Sequence, residues 1–166
     1  MISPAHAQLM ARYNRWQNRS IYAAADRVAD AERRRDQGAF FGSIHATLNH
    51  LLWADQMWLH RFAGTPAPGP KRPKDSTAMF EQWQDLARER VAFDEVIVGW
   101  TEKLDQAWLD SDLIWFSGAV GREISRPKWK LVAHFFNHQT HHRGQVHAML
   151  TRLGAKPEDT DLMLIE

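Results

Sequence analysis

The stretch FNHQTHHRGQ, residues 136–145, places His138, His141 and His142 within five positions. On an α-helix each residue turns by about 100°, so His138 and His142 stand about 40° apart on one face, one turn above the other. That is the spacing two imidazoles need to chelate one divalent cation from a single helix. No Glu follows His138, so the metalloprotease form of the pattern, with its glutamate base, is absent. His141 is displaced by about 60° from His138, away from His142, and is the poorer ligand. His134 and Gln145 fall on the side of the pair, where they could hydrogen-bond a ligand ring or simply pack. Gly144 costs a helix interior roughly 1 kcal/mol relative to Ala. It lies off the metal face and is read as a close approach by a neighbouring helix, with plain tolerance as the alternative.

A further ligand must come from another element, and His50, in TLNHLLWADQMW, is the best candidate. Its neighbours Leu51, Leu52 and Trp53 are apolar, so an imidazole there carries a desolvation cost unless a partner satisfies it. His45 is turned about 140° away from His50, and His60 is about 80° off and nearly three turns along. Spacing alone leaves the plainer reading open. A single histidine on an apolar face is ordinarily a hydrogen-bonded core residue, and surface helices carry HxxxH by chance. A di-iron carboxylate site would need Glu-x-x-His pairs, and no histidine here has a Glu three positions before it. The chain has no cysteine, so thiolate ligands, Cys nucleophiles and disulfides are excluded together. Imidazole donors favour zinc or nickel over magnesium or calcium.

Four long helices are expected to position these residues. Ser3-Pro4 starts a first helix over roughly 4–29, and Ser43 can cap a second over roughly 43–63. The segment GTPAPGPKRPKDS is a loop within the domain. A third helix is expected from Thr77 to about residue 108. LIWFSGAVGREISRP, with Gly118 and Gly121 between short apolar runs, reads as a small hairpin or irregular excursion. The last helix starts at Pro127 and stops at Gly154. The expected fold class is all-α, a four-helix up-down-up-down bundle with a long crossover, forming one domain over residues 1–166.

The charge balance of 21 basic against 20 acidic residues leaves +1, with no electrostatic footprint for nucleic acid or an acidic membrane. Arg33-Arg34-Arg35 reads as a solvated turn. No stretch approaches the roughly 18 apolar residues of a membrane span, and the N-terminus lacks a continuous apolar signal region, so a cytoplasmic location is expected. Eight tryptophans imply a filled core together with an aromatic-lined pocket or interface.

LNHLLWADQMWLHRF and FNHQTHHRGQVHAML together resemble the DinB family, also called the DinB/YfiT-like group. The resemblance spans nearly the whole chain, including an N-terminal helix of the ARYNRWQNRSIY type. It implies a four-helix bundle with a divalent metal bound by His50, His138 and His142, with His141 at a variable position. Three neutral imidazoles would leave an open coordination position, the pattern of a catalytic site. The resemblance points to thiol-dependent transferases, slightly ahead of metal-dependent hydrolases, with a non-catalytic metal-binding or dimeric interaction bundle as the alternative from another class. It also suggests a homodimer and a small-molecule thiol partner. Asp94, Asp55, Tyr13 and Arg143 are candidate acids or bases that spacing cannot place at the metal.

Overall fold

The computed structural model describes residues 1–118 and 120–165. Helix α1 spans Pro4–Asp26, started by the Ser3 side chain, which accepts from the His6 amide at 3.2 Å. A short α2, Asp30–Arg34, leads to α3, Ile44–Ala63, capped by Ser43 and closed by Gly64 in the left-handed conformation, φ 69°. A crossover containing the 3-10 turn Pro73–Ala78 reaches α4, Trp83–Thr101. Then come α5, Gln106–Asp110, the antiparallel strands β1, Asp112–Ser117, and β2, Arg122–Pro127, and α6, Lys128–Arg152. A last 3-10 turn covers Leu162–Leu164.

The four long helices do not alternate in direction. Gln8 on α1 reaches Thr101 on α4, and Asp26 reaches Trp83, so α1 and α4 are antiparallel. His45 packs near Trp83 while Asp55 meets Arg90, so α3 and α4 are parallel. His50 faces His138 while Phe62 faces Phe135, so α3 and α6 are antiparallel. The order is up, down, down, up, where alternation was expected. The crossover is the cause: it runs back along α3, with Trp53 donating to Pro70 O at 2.7 Å and Asn49 bonding both the N–H and the C=O of Phe80. Helix α4 therefore begins at the end of the bundle where α3 began. Helix α1 packs against α4 and α6, and α3 against α6 and α4.

Other expectations are corrected by the same contacts. The third helix does not start at Thr77, which lies in the 3-10 turn, because Asn49 holds Phe80 against α3 and the helix begins only at Trp83. It does not run on to residue 108 either, since Asp105 caps a separate α5 through the Trp108 amide at 2.7 Å. The first helix ends at Asp26, short of residue 29. Arg33 is buried, where a solvated turn was expected: its guanidinium donates to the carbonyls of Ala25, at 3.1 Å, and Val28, and lies over the Trp83 ring. It adds a bond to the Ala25 carbonyl, which also accepts from the Val28 N–H, and one to the Val28 carbonyl just beyond the end of α1. The excursion before α6 is a regular hairpin with Trp115 opposite Ile124.

The core holds apolar residues from all four long helices, among them Ile21, Leu48, Leu52, Leu86, Ile97, Phe135 and Met149. Within it lies a charged cluster. Arg90, 2% exposed, meets Asp55 at 2.7 Å and Asp94 at 2.9 Å. Asn18 donates to Asp94 at 2.9 Å, and Asn14 donates to it at 3.2 Å and accepts from Arg143. Burial raises the Asp55 pKa to about 6, opposed by Arg90, and burial also raises that of Asp94. Burial works against the Arg90 charge, but Asp94 and Asp55 outweigh it and push the group up.

Gly144 corrects another expectation. A Cβ built there would meet nothing within 4 Å, so no neighbouring helix presses on it. Replacing Gly144 by Ala is therefore expected to stabilise the protein by about 0.5–1 kcal/mol through helix propensity alone. Urea unfolding would check this, and a destabilised variant would restore the close-approach reading.

Candidate metal centre

Helix α6 carries His138 and His142 one turn apart on its inner face, and α3, antiparallel to it, brings His50 opposite them. The His138 Nε2 lies 3.4 Å from His50 Nε2 and 3.1 Å from His142 Nε2. The three donor atoms all fall within 4.8 Å of one another, and no Asp or Glu joins the group among the described residues. His50 and His142 are buried and His138 is partly buried.

Hydrogen bonds assign the proton positions. The Ser76 hydroxyl donates to Pro73 O at 2.5 Å, so its oxygen accepts from His50 Nδ1 at 2.8 Å. His142 Nδ1 likewise donates to Gln145 Oε1 at 2.8 Å, and the Gln145 amide nitrogen lies 3.3 Å from His141 Nε2. Both Nδ1 atoms therefore carry a proton, and both Nε2 atoms present lone pairs toward His138. A single proton on His138 Nε2 could satisfy only one of them. A cation satisfies all three, and a tetrahedral ion with bonds of about 2.0–2.1 Å would hold its donors about 3.3 Å apart, close to the separations here. The residues fit a divalent metal.

Electrostatics point the same way. Burial lowers the His50 pKa to about 4, helped by His142, and lowers that of His138 to about 3, helped by His142 and His50. Burial also lowers that of His142, opposed by Gln145. The cluster resists protonation and stays in the form that binds metal. Phe41 covers one side, its ring 4.0 Å from that of His50 and 5.3 Å from that of His142.

The three residues expected as ligands are the ones brought together here. His141 lies outside the donor group and is exposed, His45 bonds Phe80 O at 2.9 Å, and His60 bonds Thr65 O at 2.6 Å. Gln145 holds the His142 ring, whereas His134 packs edge-on against Trp58. Asp55, Asp94 and Arg143 belong to the core cluster, and Tyr13 donates to Thr160 O at 2.6 Å. Sequence reasoning missed Ser76, Asn49 and Phe41. Nothing in the local pattern marks Ser76, because its role depends on how the crossover lies on α3.

Three histidines converging between antiparallel helices of a four-helix bundle define a candidate metal centre. Across residues 1–166 the chain matches the model of the DinB family, and it belongs to that family. It is 24% identical to Protein DinB of Bacillus subtilis (strain 168) over 155 residues, which cover 90% of this chain and 87% of that protein. Its fold is similar to that of YfiT from Bacillus subtilis, described as a probable metal-dependent hydrolase with an unusual four-helix bundle topology. The TM-score is 0.69 at 12% identity, covering 94% of this chain and 92% of the other.

Untagged protein should bind about one divalent ion per chain. Single replacement of His50, His138 or His142 by Ala is expected to weaken binding at least a hundredfold, and Ser76→Ala by about 10–100-fold through loss of ring orientation. His60→Ala should change nothing. Isothermal titration with zinc reads this, and unaltered affinity in His50→Ala would remove α3 from the site.

Proposed function

We propose that this protein is a metal-dependent enzyme in which His50, His138 and His142 hold a zinc or nickel ion, and that its reaction is transfer to or from a small-molecule thiol. The observation that carries the reading is the convergence of three neutral Nε2 donors with no carboxylate among them. Such a site keeps the full +2 charge of the ion and favours an anionic ligand such as a thiolate. When bound, the ion would supply Lewis acidity and lower the pKa of a thiol or of water. Ser76 orients the His50 ring and Gln145 that of His142, burial keeps the imidazoles neutral, and Phe41 shields one side. Thiol chemistry fits a cytoplasmic setting, where low-molecular-weight thiols are kept reduced.

Hydrolysis is the second reading, favoured by the description of YfiT as a probable metal-dependent hydrolase. It would need a base to accept a proton, and the donor group contains no carboxylate for that task among the described residues. A metal-binding bundle without catalysis would keep the same three histidines. Cobalt-substituted protein separates these readings. Glutathione, bacillithiol or mycothiol is expected to produce a sulfur-to-metal charge-transfer band, with affinity rising with pH until the free thiol ionises. A spectrum indifferent to all three, with cobalt bound, would favour hydrolysis or the interaction bundle.

A homodimer forms part of the same proposal. Phe40, Ile114 and Phe116 are 80%, 61% and 69% exposed, and a second copy of the chain would cover such apolar side chains. Light scattering at micromolar concentration should give twice the chain mass, and a monomer mass would exclude this assembly.

A further inference from the structure

A cavity of about 620 Å³ lies beside Arg27, Glu32 and Leu153 and shares no residue with the histidine group. Another, of about 440 Å³, also has no histidine in its lining but lies one indole away from the histidine group. Its walls include Trp53, whose ring is 6.0 Å from that of His50, and Trp58, whose ring is 5.4 Å from that of His134; His134 in turn lies 5.8 Å from His138. Three segments build it: α3 gives Trp53, Trp58 and Arg61, the crossover gives Lys71 and Arg72, and β1 gives Trp115. The volume suits a small organic molecule.

The charge of this cavity is one-sided. Its lining contains Arg61, Lys71 and Arg72 and no Asp or Glu. Arg72 is paired with Asp75 at 2.7 Å, but among the described residues neither Arg61 nor Lys71 has a carboxylate partner. Arg61 instead stacks over Trp58, 4.9 Å from the ring centroid, and near Trp115 at 5.9 Å. Contact with the Trp58 face, with Trp115 nearby, confines the guanidinium and does not use up its N–H groups, which can meet a planar anion. Trp53, fixed by its bond to Pro70 O, and the other indoles offer apolar faces for the remainder of a ligand.

We propose that this cavity binds a small organic carboxylate with an apolar or aromatic body, its carboxylate held by Arg61 and Lys71, and that this molecule is the substrate presented to the metal centre. The assignment as substrate rests on the metal-enzyme reading, whereas the binding itself does not. Carboxylates also ligate metals, so the test uses chelator-stripped protein. Indole N–H shifts are followed by NMR during titration with phenylacetate and with its neutral counterpart 2-phenylethanol. Phenylacetate is expected to bind at least tenfold more tightly and to move the Trp58 and Trp115 signals while leaving that of Trp16 in place. Arg61→Gln and, at an exposed position where folding is not at risk, Lys71→Gln should each remove most of that preference. Equal binding of acid and alcohol, or a preference untouched by both substitutions, would overturn the proposal even if zinc binds normally. If the wild-type protein shows this preference but fails to bind added zinc, the cavity assignment stands and the metal reading alone falls.

Discussion

A charge in the middle of a helical bundle has to be answered. Arg90 has almost no contact with solvent, and removing a guanidinium from water costs several kcal/mol unless counter-charges meet it. Asp55 from α3 and Asp94 from α4 do so, and Asn14 and Asn18 extend the cluster to α1, with Arg143 joining from α6. One group of polar side chains therefore touches all four long helices. Apolar surfaces can slide by a turn at modest cost, but this cluster has few arrangements in which its charges are paired. It sets the register of α3 and α6 in which His50 comes opposite His138.

That register matters because the candidate site depends on separations of a few tenths of an ångström. Nitrogen donors 3.1 Å and 3.4 Å apart suit a shared cation, whereas a shift of one helical turn, about 5.4 Å, would separate them entirely. The crossover adds a second layer of control. Asn49 binds the backbone at Phe80, which lays residues 73–80 along α3 and brings the Ser76 hydroxyl to His50. The asparagine beside the candidate ligand thus positions the loop that orients it. The same loop carries Lys71 and Arg72 to the neighbouring cavity, so one chain segment serves both the imidazole and the basic wall.

Division of labour among the charged residues explains why acids and bases that look catalytic in the sequence are placed elsewhere. Asp55 and Asp94 are spent on Arg90, and Tyr13 ties the C-terminal segment to α1 through Thr160. The histidine group is left neutral and without carboxylates among the described residues, which keeps the positive charge of a bound ion undiminished. The basic cavity beside it continues that character. Both features favour anionic ligands, and the tryptophans supply the apolar surroundings in which such attraction is least screened by water.

Much of the helical pattern was legible in the sequence because it is local. Ser3 and Ser43 cap the helices they precede, Gly64 and Gly154 sit at positive φ where α3 and α6 end, and the four-residue spacing of His138 and His142 puts them on one face whatever surrounds them. His50 stood out because an imidazole among Leu51, Leu52 and Trp53 needs a partner. The tertiary structure decided what no local pattern encodes. Helix α4 runs parallel to α3 because Asn49 and Trp53 draw the crossover back along α3, a pairing across 31 and 17 residues respectively. Arg33 is buried because the end of α1 offers it carbonyls and Trp83 offers it a ring. Ser76 faces His50 across 26 residues of chain, and Arg61 meets Trp115 only when the hairpin folds over α3. Spacing along one helix follows from the 3.6-residue turn, but contacts between distant segments depend on the packing that brings those segments together.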